Sequence, residues 1–325
     1  MNLKVKITFL YSRKDGIIME YGGYLFVHFT GESEAGEQIY FSVSKDGLHW
    51  TDLNNGQPVI TSKICEMGVR DPFILRNRLD NRFYIISTDL RIASGKGWGV
   101  AQYEGSRNLM VCSSENLTDW TEIEAVEVGI DGAGCVWAPE AVYDEKKGEY
   151  LVFWASMVKN DGDSEHKQRI YSSYTKNFKD FSRPELYIER ENHVIDTTIL
   201  EWKGVYYRFS KDETTKNIIA DKSENVKEGP FIRLNCPNVE SIFGVEGPEG
   251  FKFNDREEWC LMVDRFAEGK GYLPLVTRDM SSGEFRVLEP EEYDMGMTKK
   301  RHGSVLNITA EEYDRLAAKY GIKEV

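Results

Sequence analysis

The chain has 325 residues, with 41 Lys and Arg against 54 Asp and Glu, a formal net charge of −13. That sign neutralises no phosphates and excludes a nucleic-acid partner. A hydrophobic share of 41% excludes wholesale disorder, and no apolar run reaches the ~18 residues of a membrane span. Residues 1–11 are interrupted by Lys4 and Lys6 before any long apolar stretch, so they do not read as a secretory leader. A soluble, cytoplasmic protein is expected unless a signal has been trimmed. Cys65, Cys112, Cys135, Cys236 and Cys260 show no CxxC spacing and read as reduced thiols.

In chain order, residues 24–30 and 39–44 are aromatic and β-branched, predicting two strands that lead to a turn closed by Trp50. Residues 71–75, 83–88 and 109–114 predict three more, closed by Trp120. The pattern recurs with 138–143, 150–156 and 170–175 before Phe181, with 195–200, 205–210 and 218–222 before Phe231, and with 246–252, 259–264 and 275–277 before Phe285. The closing aromatics fall 70, 61, 50 and 54 residues apart, the period of a propeller blade of about four strands. The first repeat lacks an inner strand, and an unused one, residues 302–309, follows the fifth. The chain is therefore expected to be a single all-β domain over residues 1–325, a five-bladed β-propeller whose C-terminal strand completes the N-terminal blade. A β-sandwich would share the spacing, but not the recurrent order of inner strand, turn and aromatic. One short helix is expected, 310–319, with Thr309 as N-cap and Glu312 completing a capping box. Gly95 to Gly99 reads as a flexible loop, and Asp161-Gly-Asp163 as a surface turn.

Each inner strand opens on a polar residue: Asp71, Glu140, Asp196, Glu246 and His302. Carboxyl groups crowded at one axis push one another's pKa values apart. Cleavage of a glycosidic bond needs that split, with one acid to protonate the leaving oxygen and one base to activate water. Glu249 competes with Glu246, but an odd separation in a strand turns side chains to opposite faces, so Glu246 is preferred.

Val69-Arg-Asp-Pro-Phe-Ile, Trp137-Ala-Pro-Glu, Val194-Ile-Asp-Thr-Thr-Ile, Val245-Glu-Gly-Pro-Glu-Gly-Phe-Lys and Arg301-His-Gly-Ser-Val resemble, as an ordered set, the inner-strand motifs of glycoside hydrolase family 43. The resemblance covers nearly the whole chain. It implies a five-bladed propeller that hydrolyses arabinofuranosides or xylosides with inversion. It also implies Asp71 as general base, Asp196 as the aspartate that positions and tunes the acid, and Glu246 as general acid. His302 resembles a histidine near a central calcium ion or water cluster, so any bound ion is expected to be a hard one such as calcium in a supporting role, and no cofactor is expected to be obligatory. In typical members the base lies close to the N-terminus, whereas Asp71 falls in the second blade of the chain order.

Arg70, Trp137 and Glu140 are the candidates for substrate contact. Trp98, Trp154 and Trp202 are further candidates for a sugar-stacking platform, while Trp50 and Trp120 recur at blade turns and read as packing. The expected partner is an oligosaccharide or polysaccharide, with no nucleic acid and no membrane. Arg70-Asp71-Pro72 also resembles a motif of the retaining fructan hydrolases, but their Asn-Asp-Pro and Glu-Cys motifs are missing. A glycoside phosphorylase would need a basic cluster, which the inner strands lack. A non-catalytic binding propeller would gain nothing from buried axial acids.

Overall fold

The computed structural model describes residues 19–322; the N-terminal stretch containing Lys4 and Lys6 lies outside them. Among the described residues the chain forms five four-stranded antiparallel sheets. The first holds β1 (Tyr21–His28), β2 (Tyr40–Ser44) and β3 (Thr51–Asp52). The second holds β4 (Val69–Arg76), β5 (Phe83–Asp89), β6 (Asn108–Ser114) and β7 (Glu124–Glu127). The third is β8 (Trp137–Asp144), β9 (Glu149–Val158), β10 (Lys167–Thr175) and β11 (Glu185–Ile188). The fourth is β12 (Val194–Trp202), β13 (Val205–Asp212), β14 (Asn217–Ser223) and β15 (Ile232–Leu234). The fifth is β16 (Glu246–Lys252), β17 (Trp259–Asp264), β18 (Tyr272–Thr277) and β19 (Arg286–Val287). The last strand, β20 (Gly303–Thr309), pairs with β1, setting Asn307 opposite Tyr24 and Gly303 opposite His28. The first blade thus takes its inner strand from the far end of the chain.

Five hydrophobic clusters fill the five seams between blades. Leu25, Val27 and Phe41 of the first blade meet Ile74, Ile85 and Met110 of the second. Tyr84 and Ile86 meet Val152 and Trp154 of the third, whose Leu151 and Phe153 meet Val194 and Ile195 of the fourth. Phe209 and Ile218 pack against Leu261 and Val263 of the fifth, and Phe251 and Met262 close the circle on Tyr24 and Phe26. A seam on both faces of every sheet means that no blade is an end.

The expected C-terminal helix is present and capped as read: Glu312 N donates to Thr309 Oγ1 at 3.2 Å and Thr309 N to Glu312 Oε2 at 2.9 Å. Two further helices were not anticipated. They are α1 (Gly97–Tyr103) and α2 (Pro237–Glu240), followed by α3 (Ala310–Tyr320). The Gly-rich segment is therefore partly helical. Gly95 and Gly97 take positive φ at its start, while Val100–Tyr103, with no glycine, carry the turn onward. Glu312 of α3 accepts both bonds of the Arg76 guanidinium from β4, tying the closing blade to the second. All five cysteines are unpaired. Among the described residues no helix is long and apolar enough to cross a membrane.

Candidate functional site

Every second strand runs antiparallel to its inner strand, so it ends where the inner strand begins. Side chains from both elements therefore converge on one mouth of the ring. Four inner strands are kinked there. Asp71, Ala138, Asp196 and Gly247 occupy equivalent positions with φ of 49°, 49°, 46° and 48°, each inside a register shift against the second strand. Left-handed backbone in a non-glycine residue is costly and concentrates at functional sites. Here it turns two aspartates into the opening.

Asp71 Oδ2 accepts from Thr88 Oγ1 at 2.8 Å, and that hydroxyl also accepts the Ala138 amide at 2.8 Å, fixing the aspartate against the third blade. Asp196 Oδ2 accepts from the Gly247 amide at 3.1 Å. Both carboxyls face one imidazole: His302 Nδ1 is 3.6 Å from Asp71 Oδ1 and 3.9 Å from Asp196 Oδ1. The ring reaches them because Gly247 has no side chain; a Cβ there would lie 2.6 Å from His302 Cγ. Burial pushes the Asp196 carboxyl up to about 6, restrained by the charges of His302 and Lys211.

Glu246, the first residue of β16, is held at both oxygens. Lys211 Nζ donates to Oε2 at 2.9 Å and Arg301 Nη2 to Oε1 at 2.7 Å. Burial alone would raise this carboxyl, but the two cations, Lys211 foremost, bring it down to about 2. Each cation has a second carboxylate. Lys211 Nζ lies 2.6 Å from Glu213 Oε2, and Arg301 Nε donates to Asp264 Oδ2 at 2.6 Å. Burial raises Asp264 to about 6 even against the Arg301 charge.

The five polar residues expected at one level occupy two. Asp71, Asp196, Glu246 and His302 meet at the mouth, whereas Glu140 comes two residues after Ala138, the position equivalent to Asp71, and lies further along its strand near Glu249. Glu249 Oε1 accepts the Val305 amide at 2.7 Å, and burial raises its pKa to about 8. Burial, then the charge of Glu249, raises Glu140 well above the carboxylate range. The parity argument that set Glu246 and Glu249 on opposite faces fails. Glu246 pairs with Asp264 and Glu249 with Met262, so three steps on β16 match two on β17, and the bulge returns both carboxyls to one face.

Arg70 is buried. Its Nη1 donates to Glu37 Oε1 at 2.9 Å, and the same carboxylate accepts the amides of Ile92 and Ala93, anchoring the loop before α1. The guanidinium lies 4.5 Å from the centre of the Phe29 ring and 5.1 Å from that of Trp98. Trp137 stands beside Trp98 with ring centres 5.9 Å apart. The other two proposed platform residues are elsewhere: Trp154 is buried in the seam between the second and third blades, and Trp202 packs on Trp259. His302 Nδ1 is turned to Asp71 and Asp196, and among the described residues no group of three or more His, Cys, Asp or Glu is disposed to hold a metal.

Lys211, Asp264 and Thr88 lie on second strands and Arg301 precedes β20, so the pattern of inner-strand openings does not mark them. The signal was available: β5, β13 and β17 end on Thr88-Asp89, Lys211-Asp212 and Asp264, polar residues closing otherwise apolar or mixed strands at the mouth.

A family model described as a probable glycosyl hydrolase domain, related to glycosyl hydrolase family 43, matches residues 19–314. An α-L-arabinofuranosidase of Bifidobacterium longum subsp. longum is 31% identical over a match covering 75% of this chain and 27% of that protein. The chain thus spans about a quarter of that relative's length. Among solved structures, a family 43 β-1,3-galactosidase superimposes with a TM-score of 0.61 at 14% identity, covering 91% of this chain and 64% of that one. An exo-β-1,3-galactanase of Clostridium thermocellum gives 0.56 at 15% identity, with 91% and 68% covered. At such identities the structural likeness speaks for the fold alone.

Proposed function

The chain belongs to the glycosyl hydrolase family 43-related proteins, and we propose that it is a glycoside hydrolase that releases a pentosyl unit, foremost α-L-arabinofuranosyl, with inversion of configuration. In this reading Asp71 takes a proton from the attacking water, Glu246 gives one to the departing oxygen, and Asp196 orients Glu246 through the Gly247 amide it accepts. The observation that carries the reading is the convergence of Asp71 and Asp196 on His302, with Glu246 anchored alongside. The curated relative supports arabinofuranose as the first sugar to try. β-Xylosides are the second.

In the free state Glu246 is ionised, so the substrate has to loosen one of its two cations before the donor can carry a proton. Each cation keeps a second carboxylate, Glu213 for Lys211 and Asp264 for Arg301, so either stays paired on releasing Glu246. Phosphorolysis lacks support: Lys211 and Arg301 are each engaged by two carboxylates and offer little to an anion.

The test is hydrolysis of the 4-nitrophenyl α-L-arabinofuranoside and β-xyloside, with proton NMR of the first-formed anomer of the released sugar. Inverted arabinose supports the reading. A retained anomer, or activity on neither substrate, overturns it.

A further inference from the structure

Of the seven tryptophans, all within the described residues, Trp98 alone is exposed, at 42%. It belongs to α1, in the connection between β5 and β6, and therefore stands at the mouth. The Arg70 guanidinium lies over its ring and is itself layered on Phe29, so Phe29, Arg70 and Trp98 form a stack beside Asp71. Trp137 meets Trp98 at 82°, nearly a right angle. Around the exposed indole the chain is bare: a Cβ built on Gly95, Gly97 or Gly99 would meet nothing within 4 Å.

We propose that Trp98 and Trp137 form a subsite for a neutral sugar ring adjoining the one that is cleaved, so that the enzyme recognises an oligosaccharide in preference to a lone glycoside. This rests on the hydrolytic reading above and names its substrate class. The face of an indole is negative, and the C–H groups on the apolar face of a sugar ring are weakly positive, so the two stack. The corner supplies no free positive charge, because Arg70 is matched by Glu37, whose side chain is wholly buried, and has Glu32 Oε1 a further 3.9 Å from its Nη1. An anionic ligand would therefore gain little there. The ring held by the corner is a neighbour of the reacting unit, because Trp98 lies over Arg70, one residue before Asp71, while the reacting unit has to sit among Asp71, Asp196 and Glu246. Nothing needs to be built: Arg70, fixed by Glu37, holds the stack in place before substrate arrives.

The experiment compares Trp98→Ala and Trp98→Phe with the wild type on two substrates. Methyl α-L-arabinofuranoside has no ring beyond the scissile bond, and α-1,5-linked arabinotriose has two. Trp98→Ala should raise KM for the trisaccharide roughly tenfold, leave its kcat within about twofold, and leave both constants for the methyl glycoside within about twofold. Trp98→Phe should recover most of the loss. Equal losses on both substrates, or none on the trisaccharide, would overturn the subsite. A second arm does not need turnover: tryptophan fluorescence of the wild type is titrated with arabinotriose, xylobiose and β-1,3-galactobiose. A saturable change with one of these that disappears in Trp98→Ala upholds the subsite even if no arabinoside is cleaved and the proposed activity fails. No change with any of the three overturns it.

Discussion

Lys211 crosses from the second strand of the fourth blade to the first residue of the fifth blade's inner strand, where its Nζ lies 2.9 Å from Glu246 Oε2. An acid catalyst must be protonated, and a cation at that distance favours the ionised form. Activity that depends on the acid form is lost as pH rises past its pKa, so the cation holds the alkaline limit down. Lys211→Met should move the alkaline limb of kcat/KM upward by roughly one unit, and Lys211→Arg should leave it near the wild-type position. A limb that stays put in the methionine variant, or moves down, would separate Lys211 from the acid.

The roles proposed for Asp71 as base and Glu246 as acid predict different losses. Asp71→Ala should reduce kcat by roughly 10²–10⁴-fold on every substrate, because water has to be activated each time. Glu246→Ala should be comparably slow on an alkyl arabinoside and far less affected on a dinitrophenyl one, whose leaving group departs without protonation. Equal sensitivity of both variants to the leaving group would contradict the assignment.

The buried carboxyl pair makes a prediction about stability. Burial raises Glu249 from 4.5 to about 8, so across that interval the folded protein holds a proton that the unfolded chain releases. Its contribution is complete below pH 4.5 and is lost as pH rises through about 8. Glu249→Gln keeps an acceptor for the Val305 amide and carries no titrating proton. The melting temperature of the variant should therefore gain on the wild type between pH 5 and pH 8, as followed by circular dichroism. A difference that does not change with pH would mean that Glu249 is not protonated in the fold.

Removing residues 302–325 takes away β20 and α3, and with them the inner strand of the first blade and the Arg76 bridge to Glu312. Loss should be cooperative, because opening one seam exposes apolar faces on two blades. A truncated chain that melts at the wild-type temperature would show that the ring does not depend on closure.

The ring was legible in the sequence because its devices recur. An aromatic closes a turn every 50 to 70 residues, and a strand left over at the end matches one missing at the start. Asp71, Asp196, Glu246 and His302 were legible as the polar openings of inner strands. The placement of Glu140 and the common face of Glu246 and Glu249 were not. Both follow from bulges at Ala138 and Gly247, which insert one residue and shift the alternation, and a bulge leaves no periodic trace in the chain. Lys211 and Arg301 were hidden for a different reason. They come from a second strand and from the approach to the last one, and only the ring brings them to Glu246.

The pairing of Tyr24 with Asn307 also sets a timetable. During synthesis β1 emerges before its partner strand, which is translated only some 280 residues later, an interval of roughly 15–60 s at ordinary ribosomal rates. Throughout it, the inner edge of the first blade has no strand to pair with in its own chain. Nascent chains on one messenger are held close together, each carrying the same open edge, and that edge can pair with a neighbour's. Translation of β20 is thus what ends this exposure. The yield of soluble protein should accordingly depend on how fast the final blade is translated.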